Sequence, residues 1–214
     1  GDVLSGIAGA LLAAGRSPLV AGASAARVHA RAAQLASGGA PIGASTLLAA
    51  LLTAGVWMSR DPDRNALVLR VTITALKGEV TPYLMLEPHI ANTGVDDRGQ
   101  VTRDGFHAWE GDTHLFLKPS QAFEKASVGF VGTSDGLTDL NDGKLDWTYA
   151  STGDQAGNTM MTGALPRLRQ SSRITRDFVI GFGASEAEAR AAADGSSAAG
   201  LGALLARFNG VGER

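Results

Sequence analysis

The chain has 214 residues, 44% hydrophobic and 19% charged, which is enough for one or two domains with a buried core. A net charge of −2 excludes an electrostatic footprint for nucleic acid or an anionic membrane surface. The absence of cysteine excludes disulfides and thiolate metal sites.

The first 56 residues hold seventeen alanines and no aromatic side chain, with three basic residues against one acidic, a net of +2. The remainder carries sixteen against twenty, a net of −4, together with every Phe, Trp and Tyr. A shift this abrupt marks a domain boundary, placed at Gly55–Asp63 where the tract ends in "RDPDRN". The resulting domains are 1–55 and 58–214. In the first, a helix is expected from Asp2 to Ala14, with Asp2 at the favourable end of the dipole and Gly15 as the stop. Ser17 and Pro18 open a second helix that runs to Ala36, and Ser45 caps a third through Leu52. The apolar stretches Val3–Gly15 and Leu47–Met58 fall short of the about 20 residues a membrane span needs. The start lacks the basic opening of a signal peptide, which favours a cytoplasmic location, and an initial Gly1 in place of Met suggests a trimmed product.

From Leu67 the hydrophobic period becomes two. Leu69, Val71, Ile73 and Ala75 alternate with Arg70, Thr72 and Thr74, as a half-buried strand requires. Asp104-Gly105 signals a hairpin, and strands are expected at 113–118, 127–131, 145–150 and 176–182. Ser185 and Glu188 form a capping box that opens a helix, interrupted at Asp194–Ser197 and resuming over Ala198–Phe208. The fold class is therefore mainly β: a partial antiparallel two-sheet domain, preceded by about three short helices and followed by a C-terminal helix.

The opening "GDVLSGIAGALLAAGRSPLV", with His29 and the later "GAS", resembles the C-terminal end of the ADP-dependent NAD(P)H-hydrate dehydratases, a ribokinase-like family. The resemblance covers about 55 residues. It implies that Gly1 touches the adenine nucleotide of ADP and that Asp2 faces the hydrated nicotinamide. A glycine turn feeding a helix presents N–H groups and a positive dipole end to an anion. Asp2 read without the family is a favourable charge at a helix start.

From Trp57 on, "YLMLEPHIANTG", "VGTSDGLTDL", "GNTMMTGAL" and "VIGFGASEAEARAAA" resemble the N-terminal domain of bacterial glucoamylases and glucodextranases, in glycoside hydrolase family fifteen. Leu137 departs from the family, where a tryptophan follows "SDG". The resemblance implies a large supersandwich-like domain joined by a helical linker to a catalytic α/α barrel. The opening strands of that sandwich, the linker and the barrel have no counterpart in the sequence. Inverting hydrolysis needs two carboxyl groups about 6.5–9.5 Å apart across a sugar-sized cleft. The many acidic residues here occupy turn contexts, so no catalytic residue is assigned.

Thr133–Asp146 is rich in Asp, but aligning Gly143 as an EF-hand glycine puts Thr138 and Leu140 at ligand positions, so turn chemistry is the better reading and no metal ligand is assigned. His89, His107 and His114 lack the paired spacing of a zinc site, although the last two can approach across neighbouring strands. Trp109 and Trp147 are candidates for stacking on sugar rings, or for half-buried core positions. The leading expectation is a non-catalytic accessory domain, partnered by a glucoamylase-type barrel or an α-glucan and needing no cofactor. A dehydratase remnant using ADP is one alternative. A chimera of two broken reading frames without selected function is another. A partial sandwich should also leave open strand edges, and neither half is expected to be fully stable alone.

Overall fold

In a computed structural model of the chain, residues 52–204 and 206 are described, and the structural statements below concern these residues. The three helices expected in the N-terminal segment, with Gly1, Asp2 and His29, lie outside them, apart from the final residue, Leu52. A compact unit begins at Leu52.

The described residues form two antiparallel sheets. The larger contains β1 (Leu52–Arg60), β2 (Ala66–Ala75), β4 (Arg98–Thr102), β5 (Gly105–Glu110), β6 (Thr113–Pro119) and β9 (Arg173–Gly183), in the order β1-β2-β9-β6-β5-β4. The smaller contains β3 (Tyr83–Leu86), β7 (Lys125–Phe130) and β8 (Thr159–Ala164), in the order β3-β8-β7. Two helices accompany them, α1 (Gly136–Asp139) and α2 (Glu186–Ala199). The fold is thus a mainly β sandwich closed by a C-terminal helix.

Residues opposite one another in an antiparallel ladder project to the same face. One face of the large sheet carries Phe106, Leu117 and Ile180 in register, and Phe123 stacks on Phe106 at 4.9 Å and lies 6.2 Å from Phe178. Phe123 also fills the space beside Gly163 of β8, so this is the interior between the sheets. The opposite face carries Ala66, Val68, Val179 and Phe116, and α2 covers it with Ala189 and Ala193. That helix rests almost on the strand. A Cβ at Gly181 would coincide with the Ala189 carbonyl and the Ala193 amide, so only glycine admits this approach. Ser185 Oγ caps the helix as the sequence indicates, accepting from Glu188 N–H at 3.2 Å, while Glu188 Oε2 accepts from the N–H of Ala184, one residue before the cap, at 2.9 Å.

Four local expectations are corrected. Leu52–Arg60 is a strand paired along its whole length with β2, where the sequence suggested a helix end and a turn. Its partner β2 already projects an alternating ladder, and Thr53, Val56 and Trp57 are themselves good strand formers. Residues 145–150 form no regular strand. Their backbone bonds two edges in turn: the Tyr149 carbonyl accepts from Val128 N–H of β7 and the Ala150 carbonyl from Val101 N–H of β4, at 3.0 and 2.7 Å. This segment seals one side of the sandwich, so of the four sheet edges β4 and β7 are not left open as a bare half-sandwich would leave them. β3 and β8 were not anticipated as strands. Finally, α2 continues through Asp194–Ser197 and breaks only at Gly200, which has φ 76°, before helical conformation resumes at 201–204.

The Gly-Ser pair survives inside α2 for reasons that lie far away in sequence. The Arg64 guanidinium occupies the space a Cβ on Gly195 would need. Ser196 Oγ donates to Asp61 Oδ2 at 2.6 Å, while Asp61 also accepts from Arg64 at 3.1 Å and from Asp63 N–H at 2.9 Å. Asp61 is buried with a side chain that is 0% exposed. Burial pushes its pKa up, but the hydrogen bonds from Ser196, Asp63 and Arg64 outweigh this and leave it below the usual carboxylate range.

Candidate functional site

Two polar clusters flank the sandwich, one on each sheet. The first arises where the start of α2 meets β4, β5 and β6. Gln100, His107 and Phe116 lie in one cross-strand row, and Trp109 and His114 pair in the next, so all five share the helix-bearing face. His107 is buried at 4% exposure. Its Nε2 lies 2.9 Å from His114 Nδ1 and its Nδ1 3.2 Å from Gln100 Nε2. The ring lies edge to edge and nearly coplanar with His114, centroids 5.2 Å apart, and stacks on Trp109 at 4.8 Å. A neutral imidazole with its proton on Nε2 satisfies both bonds, donating to His114 and accepting from the Gln100 amide.

Helix α2 supplies the surrounding charges. Arg190 makes a two-pronged bond to Asp104 at 2.6 and 2.8 Å, reaches Glu186 at 3.2 Å, and sits 4.0 Å above the Phe116 ring. Glu186 Oε2 lies 3.5 Å from His107 Nδ1. Burial is the main influence on His107 and pushes its pKa down. The Glu186 charge opposes that, while His114 and Arg190 reinforce it. The Arg190 partnership holds Asp104 low despite its partial burial. The cluster joins the helix to the sheet by matching a neutral buried histidine to a satisfied ion pair. The two histidines named from sequence therefore do come together, and Trp109 is packed against one of them. His89 lies on a separate loop, beside Glu87 at 3.4 Å.

The second cluster lies on the outer face of the small sheet. Tyr83, Ala164 and Lys125 stand in one row across β3, β8 and β7, and Met85, Thr162 and Ser127 in the next row on the same face. Gly136 of α1 sits against Thr162, so α1 covers this face and not the interior. The Asp-rich loop spends its carboxylates on its own backbone. Asp135 caps α1, accepting from Thr138 N–H at 2.9 Å, from Thr138 Oγ1 at 2.9 Å and from Gly132 N–H at 2.5 Å. Burial raises the Asp135 pKa, and these donors overcome it and bring it down. Asp142 accepts from Lys144 N–H and Asp139 from Trp147 N–H, at 2.9 and 2.7 Å. These Asp-to-backbone bonds are the turn chemistry expected of the segment.

Trp147 and Tyr149 follow on the chain, their rings 6.0 Å apart and inclined by 41°. Tyr149 is 47% exposed, and its backbone is fixed at both ends, to Ser127 Oγ at 3.1 Å and to Val128 N–H at 3.0 Å. Lys125 reaches the Leu145 carbonyl at 2.8 Å and Asp146 at 3.8 Å. Tyr83 has its phenol pKa raised, first by burial and then by the nearby charges of Asp139 and Asp146. Sequence reasoning singled out Trp147 but missed Tyr83 and Tyr149.

A third feature was also missed. Asp97 is fully buried, accepts from Ile90 N–H at 3.0 Å, and leaves Oδ2 without a hydrogen-bond partner. Burial above all raises its pKa. It anchors a loop in which His89, Ala91, Asn92 and Gly94 all have positive φ. Among the described residues no cluster of three or more His, Asp or Glu could hold a metal ion, and no helix is long and apolar enough to cross a membrane.

Comparison with known proteins bears on the whole described unit. The family profile for glucodextranase, domain N, matches residues 56–212. Among solved structures, a bacterial glucoamylase complexed with acarbose aligns with a TM-score of 0.59 at 23% sequence identity. The alignment covers 67% of this chain and 22% of the glucoamylase chain, so this fold corresponds to a minor part of that enzyme. A search of curated proteins finds no match.

Proposed function

The chain belongs to the glucodextranase N-domain family, and from that membership we propose that it serves as a non-catalytic accessory domain of a glucoamylase-like hydrolase. Its work in this reading is to pack on an α/α barrel and shape the approach of α-glucan to the catalytic carboxylates that the barrel supplies. The observation that carries the proposal is the family match over 56–212, supported by a fold that recurs in under a quarter of a bacterial glucoamylase chain.

The test is association. Titrating the full chain into a separately expressed glucoamylase-type barrel should give a defined complex by sedimentation and a higher melting temperature for the barrel. Maltooligosaccharide hydrolysis by the chain alone, surviving contaminant controls, would sink the accessory reading. So would a failure to associate with any barrel of the family.

The family match begins at residue 56, so residues 1–55 keep their own reading. Their likeness to the end of ADP-dependent NAD(P)H-hydrate dehydratases makes Gly1 and Asp2 candidates for contact with ADP and hydrated nicotinamide. ADP-dependent recovery of NADH from its hydrate by the purified chain is the corresponding assay. Sequencing reads across Ala54–Arg60 in native DNA test whether the two segments are joined naturally.

A further inference from the structure

The outer face of the small sheet combines features that an apolar domain contact would not retain. Trp147 and Tyr149 present two inclined rings beside one another, and Asp146 and Lys125 flank them with side chains 60% and 52% exposed. Burying that carboxylate and ammonium against a protein surface would strip both of water, and interface cores are depleted in charge for this reason. A sugar demands the reverse. Its C–H faces lie against the electron-rich faces of aromatic rings, and its hydroxyls donate to carboxylates and accept from an ammonium. The ring-bearing backbone is also fixed in advance, at Trp147 by Asp139 and at Tyr149 by Ser127 and Val128. Little ordering would remain to be done on binding. Tyr83 stands in the same cross-strand row as Lys125, through Ala164, on this face.

We propose that Trp147 and Tyr149, flanked by Tyr83, Lys125, Asp139 and Asp146, form a platform that binds a neutral oligosaccharide, and that this ligand is an α-glucan chain. The binding of a neutral sugar follows from the rings and charges alone. The choice of α-glucan rests on the accessory-domain reading above. The incline between the rings suits successive sugar units of a curved chain, whereas a flat ribbon-like β-glucan favours coplanar rings.

Calorimetry with the full chain and maltohexaose tests this, with isomaltohexaose and cellohexaose as further arms. Saturable binding of maltohexaose is expected, with a Kd of about 1 mM. Trp147→Ala and Tyr149→Ala should each weaken it by roughly tenfold, and Tyr149→Phe, which keeps the ring, should stay within about threefold of the original. Tyr149→Ala guards against misfolding, because its exposed side chain supports little of the core. Three results would overturn the proposal: no binding of any of the sugars, binding of cellohexaose alone, or maltohexaose binding indifferent to both alanine substitutions. Competition between maltohexaose and a glucoamylase-type barrel for this face would overturn it too, by making the platform a domain contact. Success of the barrel titration with failure of the sugar titration would leave the accessory-domain reading standing without this site.

Discussion

The two outward faces of the sandwich are finished in opposite ways. The large sheet is roofed by α2, whose alanines rest on glycine and whose Arg190 and Asp194 pair with Asp104 of the β4–β5 turn and Lys118 of β6. The small sheet is flanked by the four-residue α1 and the 145–152 segment, where Tyr149 is 47% exposed and the side chains of Lys125 and Asp146 are 52% and 60% exposed. The first arrangement excludes water and fixes the fold. The second keeps water, ring faces and free hydrogen-bonding capacity at the surface, which is what recognition requires. Substitutions at the roofed face should therefore read out in stability, and those at the open face in binding.

The largest effect should come from the closest approach. Gly181→Val would drive a branched side chain into the backbone of α2 at Ala189 and Ala193. Backbone cannot swing aside as a flexible side chain can, so the helix must lift. A loss of about 3 kcal/mol or more is expected by urea denaturation of the full chain. A loss under about 1 kcal/mol would mean that α2 docks loosely, and the contrast between the faces would fail.

Asp61→Ala comes next. It leaves the buried Ser196 hydroxyl without its acceptor and removes the carboxylate that Arg64 and the Asp63 N–H bond. A cost of about 2–3 kcal/mol is expected. Because the folded pKa of Asp61 lies below its unfolded value, its contribution is complete above the ordinary carboxylate value of 3.8 and is lost as pH falls through the folded pKa. The difference between wild type and Asp61→Ala should therefore shrink in strong acid and stay constant near neutrality.

His107 gives a smaller signal that also weakens as pH falls, here because folding favours the neutral form. Its folded pKa lies below the ordinary value of 6.5, so the unfolded chain binds the proton more readily than the folded one. The stability tied to its neutral form is complete above pH 6.5 and declines as pH falls from there toward the folded pKa. The slope cannot exceed about 1.4 kcal/mol per pH unit for one proton. His107→Gln should be less stable than wild type at pH 7.5 and lose less on passing to pH 5.5. Parallel stability–pH curves for the two proteins would show that burial does not control this ring.

How much of this could be read in the sequence depends on what each segment is covered by. β2, β6, β7 and β9 were legible because alternation survives wherever a strand has two unlike faces. β8 was not, since every residue from Thr159 to Ala164 is buried: one side meets the large sheet and the other meets α1, so no period remains. The tract 145–150 shows the converse, an alternating pattern whose backbone is shared between β4 and β7 instead of being paired with either. Asp194–Ser197 read as a helix break because Gly and Ser are poor helix formers. The interactions that hold it helical come from Asp61 and Arg64, some 130 residues earlier. At the candidate sites, the proximity of His107 and His114 was visible as strand register. The placement of Tyr83 on the face whose Lys125 and Ser127 hold the 145–149 segment was not, because it depends on which sheet receives each segment.

The smallest predicted effect is the one that bears most directly on the open face. Tyr149 is 47% exposed, its ring meets Trp147 at 6.0 Å, and its ties to β7 use only backbone atoms. Tyr149→Ala preserves those ties and removes a side chain already half in water, so the loss should be under about 0.5 kcal/mol by the same urea measurement. An aromatic residue held rigidly on the surface while adding almost nothing to stability has its ring available for a ligand. A loss above about 2 kcal/mol would instead make Tyr149 a core residue, and the small sheet would then be as closed as the large one.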